Sequence, residues 1–161
     1  MLRREFLLAA PALLVATPAR AVPELDQPAP PLKGRFFSGE AFDLTAMRGQ
    51  VVLVNFYSSY CKFCAYEIGN LETFQEQNRA KGFEVIVLGV DSPEDRHRVE
   101  RMTGLYNLRA TMVYELESNG FGRRYPTPTA FVIDRGGVLR VRMVGAKTPR
   151  RLSEEVIPLL S

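Results

Sequence analysis

A chain of 161 residues, 46% hydrophobic and 24% charged, has room for one domain with a real core and not for two. Its formal net charge is +3, but Arg3, Arg4 and Arg20 against Glu5 supply +2 of that, so the remainder of the chain is close to neutral. This balance excludes a strongly basic surface and gives no reason to propose nucleic acid as a partner.

Residues 1–21 read as an export signal: Arg3 and Arg4 form a basic head, Phe6 to Ala16 an apolar stretch, and Ala19-Arg20-Ala21 a small-x-small cleavage site. The apolar run is too short for a membrane span and is broken by Pro11. Arg-Arg-Glu-Phe-Leu-Leu also resembles the twin-arginine signal; the alternative is a general secretory signal whose arginines are only its basic head. Either route leads to a periplasmic location, with the signal cleaved after Ala21 or retained as an anchor. Membrane contact is expected only if it is retained.

Residues 22–34, with Pro23, Pro28, Pro30 and Pro31, read as an extended lead-in. The domain proper is placed at 35–161. Arg35-Phe36-Phe37 and Ala41-Phe42-Asp43-Leu44 flank Ser38-Gly39-Glu40 as a short hairpin. Val51 to Tyr57 is a continuous apolar run, the composition of a strand buried on both faces. Small polar residues follow, then Cys61-Lys62-Phe63-Cys64, after which Ile68, Leu71 and Phe74 take helical spacing. That helix should run to about Lys81, where Gly82 supplies a stop. Phe83 to Val90 is a second buried strand, parallel to the first through a right-handed crossover. Ser92-Pro93-Glu94-Asp95 is a helix start, with Ser92 as cap and an end at Gly104. A short strand is expected near Met112–Tyr114. Residues 129–134 and 138–144 form a hairpin about Arg135-Gly136-Gly137, and Thr148-Pro149 caps a last helix whose Leu152, Val156, Leu159 and Leu160 face inward.

A strand that delivers two cysteines to the first turn of a helix places the first where unpaired N–H groups favour a thiolate. Cys61 is therefore the attacking thiol and Cys64, one turn inward, the resolving one. A structural bridge across two residues would close too small a loop to remove much unfolded-state entropy. Zinc is disfavoured because only His97 could join the two cysteines, and it lies among charged residues of a solvated helix face. Lys62 should stabilise the Cys61 thiolate, and with Phe63 tunes the pair.

The run Val-Leu-Val-Asn-Phe, a Ser/aromatic stretch, Cys-x-x-Cys and an acid three residues on, together with Thr127-Pro128-Thr129-Ala130-Phe131-Val132-Ile133-Asp134, resembles the thioredoxin superfamily. The likeness is greatest to its TlpA/ResA-like branch of extracytoplasmic thiol–disulfide oxidoreductases. The resemblance implies an α/β thioredoxin fold, a central mixed sheet flanked by helices with an N-terminal β-hairpin extension. It implies a cis peptide at Pro128 facing the cysteines, with Thr127 presenting backbone to an extended substrate and Tyr60 as an aromatic lid where relatives carry tryptophan. It makes Glu67 a group that assists proton transfer, against the plainer reading of an acid that complements the helix dipole. Gly69 departs from the family, which has proline there.

The expected activity is thiol–disulfide exchange without a prosthetic group: a reductase acting on exported cysteine-containing proteins such as apocytochrome c, fed by a membrane thiol donor. Lys62 points instead towards an oxidant, so a disulfide oxidase or isomerase stays open. Other classes are a Cu(I)-handling protein using both cysteines, and a thiol peroxidase, which wants Thr-x-x-Cys where this chain has Ser58.

Overall fold

The computed structural model describes residues 22–123 and 125–161. The export signal read at 1–21 lies outside the described residues. Five strands form the main sheet in the order β5-β4-β3-β7-β8: β3 (Val51–Tyr57), β4 (Phe83–Gly89), β5 (Arg109–Met112), β7 (Thr129–Ile133) and β8 (Leu139–Val144). β3, β4 and β5 run parallel, while β7 and β8 are antiparallel to their neighbours, so the sheet is mixed. A smaller sheet, β2-β1-β6, is built from β1 (Leu32–Arg35), β2 (Ala41–Asp43) and β6 (Ser118–Asn119).

The helices are α1 (Lys62–Asn78), α2 (Arg96–Leu105) and α3 (Pro149–Val156). A 3-10 turn extends α1 to Lys81, and Gly82 at φ 75° ends it in the left-handed region that glycine tolerates. Thr148 caps α3 by accepting from the Arg151 N–H. The Ser92 side chain, by contrast, makes no cap hydrogen bond to the backbone; a 3-10 turn over Pro93–Asp95 leads into α2.

Both parallel crossovers step across the sheet in the same sense, from β3 to β4 and from β4 to β5. Right-handedness then puts α1 and α2 on one face. That face buries Ile68, Leu71 and Phe74 of α1, Val99 of α2 and Leu152 and Val156 of α3 against Leu53, Val85, Val87 and Val132. The other face, Val54, Phe56, Ile86, Leu88 and Phe131, is covered by Leu32 and Phe42 of the small sheet, by Phe36 just beyond β1, and by Phe121 and Tyr125. With both faces covered, every residue of β3 is buried, as its unbroken apolar run demands.

Two boundaries differ from the sequence expectation. β1 starts at Leu32, inside the stretch read as lead-in, because Leu32, fully buried, and Lys33, exposed, pair with Asn119 and Ser118 of a strand too short to announce itself. The strand expected near Met112–Tyr114 is β5 at Arg109–Met112; Ile86↔Arg109 to Gly89↔Met112 pairing sets its register, and it adds an edge strand beyond β4.

Candidate active site

β3 ends at Tyr57, and the turn that follows places Cys61 at the N-cap of α1, its backbone extended at φ −90° and ψ 111°. Its sulfur accepts the Cys64 N–H at 3.2 Å, one of the donors a helix start leaves unpaired. Cys61 is partly exposed, and its thiol faces the Thr127 carbonyl at 3.5 Å. The Thr127–Pro128 bond is cis. The segment leading into β7 and the start of α1 thus meet across the Cys61 sulfur.

Cys64 is fully buried, one turn inward. Burial pushes its thiol up to about 12, helped by its hydrogen bond with Cys61 and the negative charge of Glu67. Both cysteines are free thiols, so this is the dithiol form. The geometry separates an accessible thiol from a sequestered, protonated partner.

The remaining residues singled out in the sequence fall into two groups. Lys62 and Phe63 sit exposed on the first turn of α1, Phe63 66% accessible. Tyr60 is 63% accessible just before Cys61, with the Arg98 guanidinium 4.4 Å above its ring. Glu67 is different: it lies beyond the first turn and is completely buried. An acid there does not complement the helix dipole through solvent, so that reading is corrected. Gly69 is explained by packing, since a Cβ there would come within 3.3 Å of the Tyr106 ring.

Two residues that sequence reasoning missed complete the site. Asn55 of β3 donates through Nδ2 to Glu67 Oε1 at 2.9 Å. Lys147, in the turn between β8 and α3, donates through its backbone N–H to Glu67 Oε2 at 2.9 Å. Its ammonium lies 3.3 Å from the same oxygen and 3.0 Å from Asn55 Oδ1. Lys147 is fully buried as well. Burial pushes its amine down to about 8, with Glu67 pulling it back up. Burial likewise raises Glu67, opposed by the Lys147 ammonium and by the N–H groups that it accepts. Burial works against both charges and the ion pair works for both.

The Cys64 proton gives a pH prediction. A thiol raised from 9.0 to about 12 keeps its proton in the folded state where the unfolded chain has lost it. Its contribution to stability is full below about pH 9 and falls as the pH rises towards about 12. In urea unfolding, Cys61→Ser should lose more stability between about pH 8 and about pH 11 than Cys61→Ser/Cys64→Ala, by at most ~2–3 kcal/mol because part of the shift comes from Cys61 itself. The second variant has no thiol to ionise, while Tyr57 and Lys147 titrate in both. Equal losses would show that Cys64 is not held protonated.

A strand–turn–helix that aims one thiol outward and buries its partner, on a mixed sheet with a cis proline opposite, is the arrangement of a thioredoxin-fold thiol–disulfide oxidoreductase. The sequence model of the AhpC/TSA family matches residues 25–142, and the chain belongs to that family. It is 27% identical over 116 residues to the thiol-disulfide oxidoreductase ResA of Bacillus cereus, spanning 71% of this chain and 66%, just under two thirds, of that protein. It is 26% identical over 133 residues to the thioredoxin-like protein YneN of Bacillus subtilis, covering 81% and 77% of the two chains. Among solved structures, a thiol:disulfide interchange protein of the thioredoxin family from Chlorobium tepidum superposes with a TM-score of 0.71 at 22% identity, over 87% of this chain and all of that one. A secreted Mycobacterium tuberculosis disulfide oxidoreductase gives 0.64 at 17% identity, over 79% and 95%. At these identities the structures share the fold.

Proposed function

We propose that this chain is an exported disulfide reductase acting on cysteine-containing exported proteins, of the kind that serves cytochrome c maturation. The observation that carries the reading is the division of labour at the pair: Cys61 half-exposed at a helix N-terminus, Cys64 buried and protonated. Cys61 thiolate attacks one sulfur of a substrate disulfide, and the other substrate sulfur leaves with the bond's electrons. Cys64 then gives up its proton to the Glu67 carboxylate and attacks Cys61, releasing the second substrate thiol and leaving the Cys61–Cys64 disulfide. Two electrons have passed to the substrate, and a membrane thiol donor returns them. Apart from the dithiol, no redox group enters this scheme.

An extended substrate can pair with the backbone at Thr127, whose carbonyl already lies beside Cys61, while Pro128 and Tyr60 flank it. The reductase direction is supported by the exposure of Lys62: solvent screens its charge, which weakens its pull towards an oxidant. Periplasmic location rests on the signal-like residues 1–21.

Equilibration of the pair with dithiothreitol or glutathione tests the direction. A reduction potential near or below about −270 mV, thioredoxin's value, is expected. A value near about −120 mV, that of the oxidant DsbA, would instead make this a disulfide-forming protein.

A further inference from the structure

Among the described residues Lys147 is the one buried cation. Its ammonium faces three oxygens, Asn55 Oδ1 at 3.0 Å and Glu67 Oε2 and Oε1 at 3.3 and 3.5 Å. Its backbone N–H donates to Glu67 Oε2, and its carbonyl accepts from Asn70 Nδ2 of α1 at 3.1 Å. Donors from Asn55, the Lys147 backbone and the Lys147 ammonium therefore converge on one carboxyl group. Towards these partners a protonated carboxyl would turn a hydrogen at groups that already donate, so while Cys64 keeps its proton the surroundings favour the carboxylate. A buried ion pair is a poor scaffold, because well-packed apolar residues of similar size serve stability as well or better. This one lies one helical turn from Cys64, whose charge also reaches Lys147.

We infer that Lys147 is a positioning residue for the resolving step: its ammonium and backbone N–H hold Glu67 in place as a carboxylate, ready to take the Cys64 proton. The inference rests on the proton-acceptor role proposed above for Glu67. In the step itself the Cys64 thiol proton moves to Glu67, and the Cys64 sulfur forms its bond to Cys61. The Cys61–substrate bond breaks, and the substrate thiolate leaves with that electron pair and is protonated by water. Lys147 stays charged throughout. Before the transfer it is paired with the Glu67 carboxylate, and after it the Cys64 thiolate lies within its field, so the buried site holds one cation and one anion until the disulfide closes; Glu67 then releases its proton to water. The other groups around this centre are Cys61 beside Cys64, Arg151 of α3 towards Lys147, and Tyr57, which in turn feels Asp91 and Tyr106.

Rapid mixing of the reduced protein with a peptide disulfide, acid quench and mass spectrometry count the mixed disulfide and the Cys61–Cys64 disulfide separately. Run from about pH 5 to about pH 9, this yields the pH profile of resolution apart from that of attack. Without its cation, Glu67 holds its proton to higher pH. Lys147→Met should therefore move the acidic arm of the resolution profile up by about one pH unit or more, a ~tenfold slowing below the arm, and leave attack by Cys61 unchanged. Glu67→Gln should remove that arm, and Glu67→Gln/Lys147→Met should match Glu67→Gln alone. A Lys147→Met protein with the wild-type arm, beside a Glu67→Gln protein that has lost it, would overturn the inference and leave the role of Glu67 standing. A Glu67→Gln protein with the wild-type arm would remove the role of Glu67 and the inference with it. Should Lys147→Met not fold, carbon-13 NMR of glutamate-labelled wild-type protein decides, with Glu67 assigned by its loss in Glu67→Gln. An ionised Glu67 at about pH 7 in the dithiol form is expected, and a protonated one overturns the inference.

Discussion

Cys64→Ser will convert the protein into a trap that accumulates a covalent adduct with its substrate, whereas Cys61→Ser will form none. The asymmetry follows from burial. Cys61 is the accessible sulfur beside Thr127, while Cys64 is fully enclosed and reaches only Cys61. With Cys64 replaced, the mixed disulfide can be resolved only by an outside thiol. Even if Cys64 acted at an effective concentration of only ~1 M, far below the ~10⁵ M that well-oriented pairs reach, a ~1 mM external thiol would be ~10³-fold slower. Non-reducing electrophoresis after mixing with an oxidised substrate protein measures this directly. Adducts should appear with Cys64→Ser and vanish with dithiothreitol. Trapping by Cys61→Ser and not by Cys64→Ser would mean that the roles of the two sulfurs are reversed, and equal trapping by both would mean that burial does not distinguish them.

Much of the fold is legible in the sequence because its signals are local and strong. The β3 run has no polar residue except Asn55, Gly82 marks the end of the α1 region in the left-handed conformation, and Thr148-Pro149 opens α3 as its spacing demands. The cysteine pair is legible for the same reason: strand, turn and helix are contiguous around it. What the sequence hides is held together across distance. β6 has only two residues and exists through its pairing with β1, so Leu32 reads as part of a proline-rich lead-in until that partner is in view. β5 is placed by its register on β4 rather than by its own composition.

The candidate site divides along the same line. Glu67 can be placed on the Cys64 side of a helix by counting, and its burial cannot. Asn55 did carry a signal, since a lone amide in a strand buried on both faces must find a partner. Lys147 carried none, because a lysine in a turn before a helix is ordinarily solvated. The separation of 92 positions from Asn55 to Lys147 is closed only by the sheet, which brings β3 and the end of β8 to the same edge of α1.

That closure makes Lys147 a point of large and pH-dependent stability loss. Removing one member of a buried pair strands the other, at a typical cost of ~3–5 kcal/mol, against a total stability of about 5–15 kcal/mol for a domain. In Lys147→Met the stranded group is Glu67, which burial already raises and which then loses the cation that opposed that rise. A carboxyl whose folded pKa stands above its unfolded value binds more protons folded than unfolded, so stability falls as the pH rises through that window. The loss relative to wild type should therefore be small near pH 4.5, the ordinary value for this group, and approach its full size above neutrality. Glu67→Gln/Lys147→Met removes both charges and keeps an acceptor for the Lys147-position N–H and a donor for Asn55 Oδ1. It should recover most of the loss at neutral pH and show no such slope. Urea unfolding of the three proteins at about pH 5 and about pH 8 measures both features. If Lys147→Met is destabilised equally at the two pH values, its cost is lost packing of the lysine stem rather than a stranded carboxylate.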